Sequence, residues 1–483
     1  MAYESITFNG MRKDWLYIER GRKKPPFAAR RRNLLTVPGY PGGYLRSTDI
    51  EPLPIDQPVG FRIKDDADAL AKKDELAEWL LTDKPVPLEF DDEPGRIYFA
   101  VVQNTLDDFE KMAVLRSGTI QFLCPDPYAY GPEMQFSAPS DYFNIRNDGT
   151  AEAEPVFELE VKEPVTFAMI QNQFNEYNMI GRPTEVDNTT YKKFERVFYS
   201  DGDTLNGWTT ANAGEVYGDI MGQMAVGGNT RFQPSSYGSS TIGWHGPAIK
   251  TSLPEALQDF RMQTWISMYN KVSPNLLGKI ELYLLDVNGN IVTRVGMMDG
   301  SAKMANMYGL ARAYSGESYH TFIYEPGDQP GNWNDFAGVL RIQRSGNRWY
   351  AYFAKTDTTT GRHHTRRSVF WTDYHNIFTD RVAQIVVYIA GYKTYPTPNA
   401  LGVYSLSVDK INQQAEGIPY IADVGDIITF DHTQNGQVYI NGEPYEDNNL
   451  GADYFTLKKG DNQLVALPDS AFHISGKYRR RFL

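Results

Sequence analysis

Cysteine, an excess of positive charge and long apolar runs are all scarce in this chain of 483 residues. A single cysteine, Cys124, excludes an intramolecular disulfide and fits a reducing compartment. No stretch approaches the ~18 uncharged apolar residues of a membrane-spanning helix. The first residues lack the basic, apolar and small-residue order of a secretory signal, so the chain is expected to be soluble and to fold where it is made. Lys and Arg number 48 against 60 Asp and Glu, a net charge of −12. That balance argues against a general binder of nucleic acid, whose affinity comes from a basic footprint. There is also no Gly-rich phosphate loop, no Gly-x-Ser-x-Gly elbow and no His-Glu-x-x-His.

What the chain has instead is aromatic: 31 Tyr, 25 Phe and 8 Trp among 41 Gly and 28 Pro, the composition of a β-rich protein with many turns. At about 100 to 200 residues per domain, the length implies two to four domains with real cores. The first 46 residues break the acidic balance, with ten Lys or Arg and three Asp or Glu, including Arg30, Arg31 and Arg32. These read as a solvated strand edge, or as a local polyanion or subunit contact. Gly39-Tyr40-Pro41-Gly42-Gly43 reads as the tip of a hairpin or loop. Residues 67–81 are predicted helical, with Leu70, Ala77 and Leu81 on a stripe, Leu76 and Leu80 beside it, an Asp N-cap, and Pro85 and Pro87 beyond the end. Strands are predicted at 97–102 and 118–123, so the first domain, 1–135, is α+β.

From residue 136 the pattern is all-β. Residues 155–161 alternate apolar and polar, and the last stretch carries Asn435-Gly436 and Asn441-Gly442 at predicted hairpin turns. Between 136–190 and 413–483, which read as the two parts of one β-sandwich, lies 191–412 with six of the eight Trp and its own Asn288-Gly289 turn. It reads as an inserted jelly-roll or lectin-like sandwich whose first and last strands lie side by side, which allows insertion at small closure cost. The fold class is therefore mainly β.

The residues resemble the distal tail proteins of long, noncontractile-tailed bacteriophages that infect Gram-positive hosts. At the start the resemblance rests on Trp15-Leu16-Tyr17-Ile18-Glu19-Arg20-Gly21, the loop 39–44, Trp79-Leu80-Leu81, Arg96-Ile97-Tyr98 and Cys124-Pro125-Asp126-Pro127-Tyr128. At the end it rests on Val424-Gly425-Asp426, Val438-Tyr439-Ile440-Asn441-Gly442, Tyr454-Phe455-Thr456-Leu457 and Gly460-Asp461-Asn462. It implies a structural virion component of the tail tip or baseplate, assembled in the bacterial cytoplasm. A ring-forming belt domain would build a homohexamer joining the tail tube protein to the tail-associated protein, near other baseplate or receptor-binding proteins. A galectin-like domain would follow, carrying a carbohydrate-binding-module-like insert that touches host cell-wall polysaccharide. Arg30, Arg31 and Arg32 then become candidate ring contacts, ahead of a role in lining a passage for DNA.

No catalytic, cofactor or metal site is expected. His363 and His364 are adjacent and would point to opposite faces of a strand; with Arg362, Arg366 and Arg367 they read as a basic exposed loop. Cys124 reads as a small buried hydrophobe. Asp286 begins a calcium-like loop that lacks its distal Glu, and Asp201 with Asp203 is the remaining place for a structural calcium. Glu281, Asp286 and Asp335 are the carboxylates on which an alternative, a polysaccharide-processing enzyme, would depend. For saccharide binding, aromatic rings that stack on sugar C–H faces are sought beside hydrogen-bonding groups. Trp333, after the loop-like Gly327-Asp328-Gln329-Pro330-Gly331-Asn332, leads, followed by Trp244 with His245, and by Tyr308, Arg312 and Tyr314.

Overall fold

The computed structural model describes residues 4–103, 117–184, 189–228, 230–413, 417–433, 436–447 and 453–483. Asn435, half of a predicted turn, lies outside the described residues. One α-helix, Asp66–Leu80, stands among strands in the described residues. Its N-cap is Asp65, whose carboxylate accepts the Asp68 N–H at 2.8 Å, and Asp66 and Asp68 favour the positive end of the helix dipole. The expected apolar stripe is corrected: Leu70 and Leu81 are 62% and 78% exposed, while Leu76, Trp79 and Leu80 are buried. Only the last turn and a half rests on the sheet, because the Trp79 indole reaches down to donate to the Phe8 carbonyl at 3.0 Å.

Beneath the helix, Leu53–Phe61 pairs with both Leu16–Ile18 and Ser117–Cys124, and Ile97–Val102 pairs with Val86–Phe90. Phe8, Ile55, Val59, Leu88, Phe90 and Phe122 fill this first core. Cys124 is buried within it, and burial, reinforced by Asp126, pushes its thiol up to about 12, so it behaves as an inert hydrophobe.

A second core takes side chains from both ends of the chain: Phe157, Leu159 and Ile170 from one, Ile428, Leu464 and Phe472 from the other. Pro155–Val161 shows the expected alternation, with Glu158 and Glu160 outside and Phe157, Leu159 and Val161 inside. The last strand, Phe472–Phe482, lies between Ala129–Ser137 and Pro155–Val161. Opposite it pack Tyr142–Asn147, Gly460–Leu467, Phe167–Asn172 and Tyr177–Gly181. Asn441 and Gly442, with φ of +51° and +80°, form the two-residue turn that pairs Ile440 with Glu443.

The third body is a two-sheet sandwich. Phe194–Ser200 and Asn399–Ile411 pair antiparallel, Phe194 opposite Ile411, so the chain leaves and returns at one edge. Next to them Thr190–Tyr191 and Ile418–Pro419 run parallel. One sheet is built on Phe260–Tyr269, Phe336–Ser345, Arg348–Thr356 and His363–Thr372; the other on Val382–Tyr392, Gly278–Leu285, Ile291–Asp299, Tyr308–Ser315 and Ser318–Glu325. Met262, Leu282, Val295, Leu340, Phe353 and Val387 meet between them. At the rim of this core the buried Arg344 donates to the carbonyls of Gln258, Phe378 and Asp380 at 2.6 to 2.9 Å, and burial lowers its pKa to about 10, so it stays charged.

His432 sits in the second core, edge-on to Phe157 and Phe455, with Nδ1 2.9 Å from the Phe455 carbonyl. Burial pushes its pKa down to about 4, against the opposing pull of Phe455 and Asp431. An unfolded histidine near 6.5 takes up its proton first as the pH falls. The neutral ring therefore stabilises the fold fully above pH ~6.5, and roughly 3 kcal/mol is lost on going down to pH ~4. Replacing His432 by Phe should flatten the decline of the melting temperature between pH 7 and 5 relative to the parent. Parallel profiles would show that the histidine does not titrate in this way.

Candidate functional site

Arg30, Arg31 and Arg32 all lie exposed on a two-stranded arm, Arg30–Leu35 paired with Tyr44–Ile50, whose tip is the 39–43 turn with Gly39 and Gly42 at positive φ. Arg31 reaches Asp49 and Glu51 at 3.4 and 3.5 Å, exposed pairs of little stabilising value. The arm also leaves Leu34, Leu35, Tyr40, Tyr44 and Leu45 exposed. An isolated ribbon is marginal in water, and contiguous exposed apolar side chains mark contact surfaces.

Trp333, the leading saccharide candidate, is 1% exposed and belongs to the core. Its loop folds inward because Asp335, at φ +51°, accepts the N–H groups of Asn270 and Lys271 at 2.9 and 3.0 Å. The indole then lies against Phe353 and over Gly309, where a Cβ would come within 2.2 Å of the ring, and donates to the Thr365 carbonyl at 3.2 Å. A loop tryptophan is exposed only when no niche receives it; here a glycine provides one. His245 is likewise buried, its Nδ1 3.2 Å from the Gly243 carbonyl. Trp244 is half-buried against Tyr392, 4.9 Å between centroids, with the Lys279 ammonium 5.3 Å from its ring.

Tyr308, Arg312 and Tyr314 come from one strand, and alternation sends all three to the outer face of the same sheet. Arg312 lies 5.0 and 5.5 Å from the rings of Tyr319 and Tyr324, and Tyr324 packs on Tyr308 at 5.6 Å. Tyr314 itself is buried, between Tyr319 at 6.3 Å and Tyr217 at 5.8 Å, and burial pushes its phenol up to about 12. The accessible rings are Tyr319, Tyr324 and Tyr217, at 60%, 53% and 47% exposure, none of which sequence reasoning selected. Tyr319 and Tyr324 had one usable signal, a strand directly after the chosen one; Tyr217, from a distant loop, had none.

Behind this surface runs a buried ion triad. Glu281 accepts from Lys279 at 2.6 Å, from Arg294 at 3.4 Å and from the Tyr283 hydroxyl. Burial pushes the Glu281 pKa up, and Lys279 and Arg294 overcome it, so the carboxylate remains ionised. Arg294 lies 4.1 Å from the Tyr217 ring, so the triad connects Trp244 at one end to Tyr217 and Tyr314 at the other. The result is a ridge of tyrosine faces with guanidinium donors between them, suited to stacking on a pyranose and binding its hydroxyls.

The carboxylates considered for catalysis are each engaged elsewhere. Glu281 is enclosed by its two cations, Asp286 accepts the N–H groups of Asn288 and Asn290 at 2.8 Å within its turn, and Asp335 secures the Trp333 loop. Among the described residues no group of three or more His, Cys, Asp or Glu side chains could hold a metal. His363 and His364 lie on a strand, which corrects the expected loop; His363 is half-buried with Nδ1 2.9 Å from the Tyr352 hydroxyl, and burial pushes its pKa down to about 4.

Residues 12–124 match the family model of the phage tail protein RIFT-related domain. The chain is 28% identical over 174 residues to the distal tail protein of Bacillus phage SPP1, a match spanning 35% of this chain and 63% of that relative's length. Among solved structures, the Dit protein of phage SPP1 aligns with a TM-score of 0.32 at 19% identity, over 37% of this chain and 74% of that one. The CBM2 module of the evolved Dit of Lactobacillus casei BL23 phage J-1 aligns with a TM-score of 0.38 at 15% identity, over 46% of this chain and 99% of that one. The family match and the SPP1 relative bear out the resemblance to siphophage distal tail proteins.

Trp333→Ala should cost about 3 to 5 kcal/mol, the range for emptying an aromatic core site, and lower the melting temperature of the third body. A variant as stable as the parent would return the indole to the surface.

Proposed function

We propose that this relative of the siphophage distal tail proteins is a nonenzymatic structural component of the phage tail tip, in which a belt domain, 1–135, builds a six-membered ring. Residues 136–190 with 413–483 form a galectin-like sandwich outside that ring, and 191–412 form a carbohydrate-binding insert. The observation that carries the ring is the arm of residues 30–50, inside the region that matches the family model. It exposes Leu34, Leu35, Tyr44 and Leu45 beside Arg30, Arg31 and Arg32. Such an arm is stabilised by lying on a neighbouring subunit, and a head-to-tail contact whose rotation closes gives a ring. The ring would join the tail tube protein above it to the tail-associated protein below.

The Tyr308, Arg312, Tyr319 and Tyr324 ridge supports the adhesive half of the reading. A few tyrosines and one arginine bind a sugar weakly, and six copies on one ring raise weak single-site binding to useful avidity when the sites engage together. The enzyme alternative gains nothing from the site geometry, since its carboxylates are held in structural roles.

Two outcomes check this. Native mass measurement of the purified chain should give six subunits, and Leu35→Asp with Leu45→Asp should shift it to monomer with the melting temperature unchanged; a parent that is monomeric even with its tail partners present removes the ring. Tyr324→Ala and Arg312→Ala should each lower retention on host cell walls several-fold, and unchanged retention of both would rule the ridge out as a contact.

A further inference from the structure

The insert has a second face, turned toward the galectin-like sandwich. There a half-open groove of about 1030 Å³ runs between the outer side of one sheet and the host hairpin around Asn441 and Glu443. Four neighbouring strands form its floor. Gln263, Arg341, Tyr352 and Ser368 stand in one cross-strand row, and Gln343, Tyr350 and Phe370 in the next. Phe370 is 78% exposed and packs against Tyr350 at 4.4 Å with the rings tilted by 31°, and Tyr350 lies near-parallel to Tyr352 at 6.3 Å. Apart from that contact with Tyr350, the ring of Phe370 is left to solvent on a rigid strand, as at a contact surface.

The opposite wall is fixed against the floor. Glu443 of the host receives both terminal nitrogens of Arg341 at 2.9 and 2.6 Å, while the Nε of Arg341 donates to Gln263 at 2.7 Å. Arg362 reaches Asp431 at 2.6 Å, and the His363 N–H donates to the Gly442 carbonyl at 2.9 Å. A Cβ on Gly442 would stand 2.0 Å from the Gly361 carbonyl, so the hairpin tip fits against the insert only with glycine there. The groove thus needs both bodies.

Four of its cations are held by carboxylates in place. Arg196 and Arg261 share Asp409 at 2.5 and 2.8 Å, Arg341 holds Glu443, and Lys192 holds Asp423 at 2.5 Å. Paired cations offer no counter-charge to a polyanion, but their remaining donors, with Gln263 and Asn441, serve hydroxyl groups. The half-open shape suits a chain that continues past the site. We propose that this groove binds a neutral polysaccharide chain, stacked on Phe370 and Tyr350 and held between insert and host. The proposal rests on the saccharide-binding reading of the insert and places a binding face on the sheet opposite the tyrosine ridge.

The test uses the full chain and two probes: an array of neutral hexose and N-acetylhexosamine oligosaccharides of six or more units, and the same array of uronic-acid oligosaccharides. At least one neutral oligosaccharide should bind, with Phe370→Ala weakening it tenfold or more at unchanged melting temperature. Gly442→Ala, which displaces the host wall, should weaken it several-fold, while Tyr324→Ala on the far sheet leaves this binding intact. Wild-type affinity in Phe370→Ala, or binding confined to the acidic array, would overturn the groove. If cell-wall retention then depends on Tyr324 alone, the adhesive reading survives without it. Absence of binding to every glycan and to walls would remove both.

Discussion

The last strand, Phe472–Phe482, determines how everything else is arranged, because it is hydrogen-bonded between two strands from the first third of the chain, Ala129–Ser137 and Pro155–Val161. It also carries side-chain ties: the Tyr478 hydroxyl donates to the Arg146 carbonyl at 2.8 Å, and Arg481 pairs with Glu154 at 2.9 Å. The second core is incomplete until these residues arrive, so any insertion must return the chain to where it left. The third body does so by pairing its own first and last strands. Because those ends are neighbours in the folded insert, the host bears a closure cost set by a short gap.

Several buried charges inside the sandwich are paired or hydrogen-bonded. Asp409 holds two arginines, Glu281 holds a lysine and an arginine, and Arg344 is received by backbone carbonyls. Such pairs contribute modest net stability, yet removing one partner leaves a buried charge that costs several kcal/mol. Their value here is positional. The Glu281 triad holds Arg294 under Tyr217, and Glu443 holds Arg341 in the groove floor, so the two aromatic surfaces of the insert rest on fixed charges. One surface faces outward, away from the host, and the other faces the host across the groove.

Elements governed by local rules were legible in the residues. The helix began at its Asp cap, Pro155–Val161 followed its alternation, and Asn441-Gly442 made the turn that its positive φ values require. Features governed by what a side chain meets across space were not. Leu70 looks like a core residue by spacing and is exposed because the sheet reaches only the last turns of the helix. Trp333 looks like a loop residue and is core because Gly309, on another strand, leaves room for it.

By itself the sequence determined a mainly β protein, a capped helix, turns at Asn-Gly pairs and the family it resembles, since these follow from periodicity, local backbone preference and residue order. Only the tertiary structure decided which aromatics reach solvent, which carboxylates are taken up by cations, and that Phe370 and Glu443 face one groove. Those depend on pairings between strands tens to hundreds of residues apart, and burial is a property of the partner as much as of the residue.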